Sequence, residues 1–358
     1  MIKWRVGKLL FIRALVVRMA GVQSTDPGRH TAATKRGQLH KQRGVALISV
    51  LLIVAILMAL TTRLLSGHQL VVQRHQNTFG QNQALQYALG AEDLARQVLF
   101  KDQQLSGEID HLEEIWSQPI TPFAIDESGF IEIRLRDLHG CFNLNSLTIQ
   151  DKAKADRART RLLLLLQNLG VNPGIIDPLM DWTDADSEPR ASGAEDDNYL
   201  NRIPPYRTAN QPLYDVSELY LLEGVERDEI ALLLPHVCVI PDSDVKVNIN
   251  TAKAEVIAAL DNTIGIAVAE GIVGVERRYQ NVDELIQSYD VFTAIKEDIT
   301  AQSRYFELHV RVTVNDSTVT LRSTLERESG GTIRLLQRNF GKLFQMQTLF
   351  ESDLQDDV

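Results

Sequence analysis

Lys41-Gln42-Arg43-Gly44-Val45-Ala46-Leu47-Ile48-Ser49-Val50-Leu51-Leu52-Ile53-Val54-Ala55-Ile56-Leu57-Met58-Ala59-Leu60 sets the architecture of everything that follows it. A basic run ends in a glycine, and the glycine abuts an unbroken apolar segment. An ordinary secretory signal carries its small-residue cleavage site after the apolar run. Here the plausible scissile bond, Gly44–Val45, precedes it, so cleavage would leave the apolar helix on the mature chain. A plain signal anchor with a basic flank is the other local reading. Val45 to Thr62 falls short of the ~20 residues that span a bilayer, and Arg63 can extend the span by snorkelling. Met1–Met19 is also fairly apolar, but Lys8, Arg13 and Arg18 interrupt it and it does not read as a second span.

Charge divides the chain at the same place. Residues 1–44 hold ten Lys/Arg and one acid, Asp26, for +9; the whole chain is −10, so the remainder carries −19. A basic segment ahead of one apolar helix predicts a cytoplasmic N-terminus. The acidic bulk then lies across the membrane, in the periplasm of a Gram-negative host. An acidic body suits cations and is a poor partner for nucleic acid, whose phosphates are neutralised by Lys and Arg.

Beyond Arg63 the helical pattern runs to about Phe100, with no proline between residues 45 and 118. One long helix is expected, membrane-embedded at its start and amphipathic later, with Gly80 and Gly90 as points of weakening. Phe130–Arg136 and Cys141–Asn145 alternate as strands do. About 150 residues of helical pattern follow, with candidates at Arg161–Leu169, Pro173–Trp182, Val216–Leu222, Arg227–Leu234, Ala254–Leu260 and Val282–Gln287. Strand pattern returns at Tyr305–Val312, Ser317–Arg327 and Thr332–Asn339, with Asn315-Asp316 as a turn. The fold class expected is α+β: a long N-terminal spine helix and an antiparallel sheet domain interrupted by a large all-α insertion. The boundaries are a leader at 1–44, a transmembrane segment at 45–62 and the rest of the spine at 63–100. The sheet domain occupies 101–145 and 303–340 around an α-domain at 146–302, and a tail covers 341–358. Cys141 and Cys238 match no metal motif; they are read as two buried thiols, with a disulfide as the other possibility.

Several stretches together resemble one family. They are Arg43-Gly44-Val45-Ala46-Leu47-Ile48, Gly140-Cys141-Phe142-Asn143-Leu144-Asn145, Asp181-Trp182-Thr183-Asp184-Ala185-Asp186 with Gly193-Ala194-Glu195-Asp196, Pro205–Leu213, Val247–Ala252 and Leu335-Leu336-Gln337-Arg338-Asn339. The first resembles a type IV prepilin leader, and the ordered set resembles the K-type minor pseudopilins of bacterial type II secretion. That resemblance implies a pilin-like sheet, cleavage of Gly44–Val45 by a prepilin peptidase with methylation of the new terminus, and a non-enzymatic role. The implied role is at the tip of a periplasmic pseudopilus, beside I- and J-type minor pseudopilins, other inner-membrane components of the system and the lipid itself, in support of export of folded proteins. Most pilins carry Glu at the fifth mature position, where it meets the N-terminal amine of a neighbour. Here that position is Ser49. A buried Glu without a partner is costly in an apolar helix, and a tip subunit has no neighbour above it, so Ser49 fits a tip place.

Asp184–Glu195 sets oxygen donors at positions 1, 3, 5, 9 and 12 of a 12-residue loop, the ligand spacing of an EF-hand. Position 6, normally glycine, is Pro189, which argues against a regular EF-hand turn, and Pro204-Pro205 argues against an exit helix. Seven acids from Asp181 to Asp197 still crowd one segment, and hard oxygen donors favour Ca²⁺. The family resemblance implies calcium in this region. Asp184, Asp186, Glu195 and Asp197 are the leading ligand candidates, Asp196 the next; Asp181 is assigned to local pairing and Trp182 to the core.

Two further classes, a DNA receptor and an enzyme, find less support in the sequence. Val247–Ala252 with Glu255–Leu260 resembles half of a helix-hairpin-helix unit, and Leu221–Val225 with Asp228–Leu234 a looser copy, which would suit a membrane-anchored DNA receptor. Asn262–Ala267 holds only part of the required glycine pattern, and Arg277-Arg278 is the nearest basic cluster. For an enzyme, the sequence offers no nucleophile elbow, no phosphate loop and no ligand-spaced histidine pair.

Overall fold

The computed structural model describes residues 43–118, 122–126 and 129–341. The leader assigned to residues 1–44, apart from its last two, and the tail from 342 onward lie outside the described residues. The chain divides into two compact units, residues 1–67 and 68–358.

In the first unit the described residues form the start of helix α1 (Arg43–Ser106). Its apolar side chains from Leu47 to Leu60 are exposed. Among the described residues this is the one helix long and apolar enough to cross a membrane. Thr61, Thr62 and Ser66 return their hydroxyls to carbonyls three or four residues back, so these polar groups continue the helix without a break.

In the second unit α1 becomes a packing element. Ala84, Ala88, Ala91, Ala95 and Leu99 form one stripe and are all buried. Small residues on that stripe let the helix approach the sheet closely. Gly80 serves the same end: a Cβ there would lie 2.9 Å from Ser317 Oγ, so this glycine marks a close approach rather than a weak point. The helix continues past Phe100 to Ser106 and stops at Gly107, whose φ of 86° is the left-handed conformation that terminates helices.

The sheet is five-stranded and antiparallel, in the order β1 (Phe123–Asp126), β2 (Gly129–Asp137), β7, β8, β9, with β3–β6 lying elsewhere in the chain. β3 (Phe142–Asn143) and β4 (Val237–Cys238) pair in parallel, as do β5 (Val247–Asn248) and β6 (Ile299–Thr300). β7 (Tyr305–Val314), β8 (Ser317–Arg327) and β9 (Ile333–Phe340) complete the sheet. Asn315, at φ 51°, makes the two-residue turn between β7 and β8. Ile131, Ile133, Phe306, Leu308, Val310, Leu321 and Leu325 face the α1 stripe, with Trp116 edge-on to Phe306 at 5.3 Å. The opposite face is polar and carries Arg134, Arg136, Glu307, His309 and Arg322.

The helical block falls between β2 and β7. It contains α2 (Lys152–Leu169), α3 (Ile176–Thr183), α4 (Asp196–Leu200), α5 (Arg227–Leu233), α6 (Ala254–Ala258), α7 (Ile266–Val273) and α8 (Val282–Ser288). Helix α2 starts at Lys152, earlier than the apolar periodicity suggests, because its first turns are polar. Asp151 caps it by accepting from Lys154 N at 3.0 Å, and Gly170 closes it at φ 68°. Cys141–Asn145 is strand only at Phe142–Asn143, and Leu144–Thr148 winds into a 3₁₀ turn, as does Val216–Leu221. Leu162, Leu165, Leu166, Trp182, Leu219, Leu233, Ile257 and Phe292 share a second core.

Two expectations are corrected here. Cys141 and Cys238 are not free thiols but a disulfide, with Cα atoms 5.9 Å apart across 97 residues. The parallel pairing of β3 with β4 places Asn143 opposite Cys238 and so brings the sulfurs together. And an exit helix does follow Glu195: the single turn α4 ends before Pro204.

Candidate metal centre

The acidic loop is strung between the end of α3 and the start of α4. An aromatic cluster fixes both ends. Trp182 meets Tyr199 at 5.2 Å and Tyr206 at 6.2 Å, and Tyr199 meets Tyr206 at 5.4 Å. Trp182 Nε1 donates to Glu218 at 3.0 Å, while its carbonyl accepts from Asn210 N at 3.0 Å. Ala194 is fully buried and pins the returning strand of the loop.

Within that frame Asp184, Asp186 and Glu195 each bring a carboxylate oxygen within 4.8 Å of the others. Glu195 is only 4% exposed, and both its oxygens are buried without a hydrogen-bond partner. The Thr208 hydroxyl donates to Asp196 at 2.9 Å and lies close enough to Glu195 to oppose part of the effect of burial there. Asp184 Oδ1 is likewise buried and unpartnered. Burial pushes the carboxyls of Glu195 and Asp184 above the ordinary range; neighbouring acids add to the effect, and Arg190 opposes it at Asp184. Of the three, Glu195 is buried, Asp184 half-buried and Asp186 exposed, and among the described residues Arg190 is the cation that pairs with the set, through Asp184.

The other acids have different work. Asp181 is fully buried and accepts from Arg190 N at 3.0 Å and from the Arg190 guanidinium, which also bridges to Asp184. Asp196 accepts from Thr208 N at 3.1 Å and from Arg207 at 2.7 Å, and the Thr208 hydroxyl leads the contacts that hold its carboxyl below the usual range. Asp197 is exposed and outside the grouped set. Asp186 accepts from Glu188 N at 2.9 Å, which turns the loop where Pro189 replaces glycine.

Three features escaped the sequence reading. Arg190 is the internal counter-ion of the loop, pairing with both Asp181 and Asp184. Gly193 is required because a Cβ would lie 1.8 Å from Asp181 Oδ2. Asn210 donates to the Asp186 carbonyl at 3.3 Å and keeps a buried, unpartnered Oδ1 beside the loop. An arginine amid seven acids was the available signal for the first; nothing local announces the other two.

A second acidic group, Asp102, Asp110 and Glu114, is buried at the end of α1. Arg327 pairs with Asp110 at 2.7 Å and Asp102 at 3.3 Å, so this group holds its own cation. Burial still pushes the Asp110 carboxyl up to about 7.

A helix whose apolar start fits a single-pass membrane anchor, continuing beneath an antiparallel sheet that carries a helical insertion, defines a pilin-like subunit. The chain is 39% identical over 320 residues to the type II secretion system protein K of Pseudomonas aeruginosa, spanning 84% of this chain and 93% of that protein. It is 38% identical over 231 residues to protein K of Klebsiella pneumoniae, over 62% of this chain and 71% of the relative. The family model for protein K of the type II secretion system matches residues 140–242. The fold superposes on a chain of the crystal structure of the GspK-GspI-GspJ complex from enterotoxigenic Escherichia coli, with a TM-score of 0.65 and 28% identity, over 75% of this chain and 99% of that one. The chain belongs to the type II secretion system protein K family, a family of minor pseudopilins. These relatives do not favour the DNA-receptor reading.

Proposed function

We propose that this subunit sits at the tip of a pseudopilus, where it initiates assembly with I- and J-type minor pseudopilins and supports export of folded proteins. The observation that carries the reading is the likeness of the fold to a chain of the GspK-GspI-GspJ complex. Two features of the chain agree with it. The large helical block between β2 and β7 would obstruct addition of a subunit above it. Ser49 on α1 removes the acid that would otherwise need an upper neighbour.

In this account a prepilin peptidase cuts Gly44–Val45 and the new terminus is methylated. The apolar part of α1 anchors the chain in the inner membrane with its N-terminus cytoplasmic and residues 68–358 periplasmic, then packs with helices of other pseudopilins. The disulfide supports an oxidising compartment for that unit.

Calcium completes the reading. Ca²⁺ takes roughly six to eight oxygen ligands in irregular geometry. Asp184, Asp186 and Glu195 would hold it, with Asp196 and Asp197 flanking the loop. The partnerless oxygens of Glu195 and Asp184 support this assignment. The ion would supply the positive charge the loop lacks and tie it to α3 and α4, fixing the surface offered to partner subunits.

Deleting residues 45–62 tests the assembly role. Pseudopilus formation should be lost while residues 68–358 stay folded; a normal pseudopilus after that deletion would defeat the proposal.

A further inference from the structure

Arg190 is a cation placed by the chain itself inside the acidic loop. Its Nη1 donates to both Asp181 Oδ1 and Asp184 Oδ2. The two acceptors differ. The Asp181 side chain is fully buried, whereas that of Asp184 is 25% exposed and that of Arg190 32%. Asp184 also stands in two groups at once. Its Oδ2 takes the guanidinium, its Oδ1 is buried without a hydrogen-bond partner, and the residue is one of the three whose carboxylates converge with Glu195.

The guanidinium is not what fastens the loop. Arg190 N donates to Asp181 Oδ2 at 3.0 Å and Gly193 N to the Arg190 carbonyl at 3.0 Å. Ser192 N donates to Asp177 at 3.3 Å, and Asn210 Nδ2 to the Asp186 carbonyl at 3.3 Å. None of these contacts uses the arginine side chain, so they persist if it turns away. What the side chain supplies is charge, one positive group among Asp181, Asp184, Asp186 and Glu195. A divalent cation held by Asp184 would sit beside a guanidinium held by the same carboxylate, and like charges at that range repel. The arginine is the partner that can leave, because its head already reaches water.

We propose that Arg190 is a placeholder for the loop cation. It neutralises Asp181 and Asp184 while the ion is absent, gives up Asp184 when a divalent cation binds, and so sets how tightly the loop holds that ion. The loop then keeps its shape without the ion and binds it less tightly than its acids alone would. This inference rests on the calcium reading above and does not depend on the tip reading.

The test is calorimetric titration of calcium chloride into the metal-free full chain in detergent, for the wild type, Arg190→Gln and Arg190→Lys, beside thermal unfolding of each without metal. Arg190→Gln removes the competing charge and should bind calcium about tenfold more tightly, while its metal-free form should unfold at a lower temperature. Arg190→Lys keeps the charge and should stay near the wild-type affinity. If Arg190→Gln folds only in calcium, its affinity is read by competition with a chelating dye, and the same tightening is expected. Equal or weaker binding by Arg190→Gln would overturn the proposal and leave calcium in the loop. Calcium binding by none of the three would overturn both the proposal and the calcium reading.

Discussion

Glu92 of the spine helix receives the guanidinium of Arg338 on the edge strand β9, accepting from Nε at 2.9 Å and from Nη2 at 2.6 Å. Ser323 of β8 adds a third hydrogen bond at 2.6 Å. These contacts clamp α1 to the two last strands of the sheet, and they offset burial enough to hold the Glu92 carboxyl below its ordinary range. A carboxylate 1% exposed on an otherwise alanine-lined stripe is explained by this strap.

Glu92→Ala should cost about 1–2 kcal/mol, because the buried Ser323 hydroxyl loses its acceptor while Arg338, whose side chain is 35% exposed, can turn to water. Chemical denaturation of residues 68–358 measures this directly. Loss of less than about 0.5 kcal/mol, the scale of an exposed pair, would mean that the strap is not formed.

Calcium removal should lower the unfolding temperature, and by more as pH rises. In the metal-free protein the raised carboxyls of Asp184 and Glu195 bind protons more readily folded than unfolded. Their contribution to stability is then lost as pH rises from the ordinary carboxylate range through the raised values. Calcium favours the ionised form, so its stabilisation grows over the same window. Glu195→Gln should abolish the calcium-dependent shift in differential scanning fluorimetry at pH 7.5; an undiminished shift would remove Glu195 from the ligand set.

Gly193→Ala should disturb the same loop without touching a candidate ligand. The added methyl meets the Asp181 carboxylate, which is buried and held by Arg190, so neither group can move cheaply. An overpacking cost of roughly 1–3 kcal/mol is expected, with weaker calcium binding in an equilibrium titration. Wild-type affinity and stability would show that the loop is looser than described.

Replacing both Cys141 and Cys238 by serine should lower stability by about 2–5 kcal/mol, since the bridge closes a long loop. Denaturation under oxidising and reducing conditions should show the same difference in the wild-type chain and none in the double variant.

The spine and the return of the sheet were legible because each rests on a local pattern. No proline breaks the helix, and Tyr305–Val314 and Ser317–Arg327 carry strand pattern on either side of an Asn-Asp turn. The start of α2 was hidden because Lys152–Arg161 is polar on most faces and only the Asp151 cap announces it. The disulfide was hidden because Cys141, just ahead of the two-residue strand β3, and Cys238, on the two-residue strand β4, are 97 positions apart. In the loop, the spacing of Asp184, Asp186 and Glu195 could be read along the chain. That Asp196 is committed to Thr208 and Arg207, and Asp181 to Arg190, depends on how the chain doubles back, which no local spacing encodes.

The most direct test of the tip account is native mass spectrometry of residues 68–358 mixed with the corresponding units of I- and J-type pseudopilins, with and without a calcium chelator. The account predicts one defined ternary complex, a calcium-dependent mass on this subunit, and a weaker complex after chelation. A subunit that stays alone under every condition would contradict it.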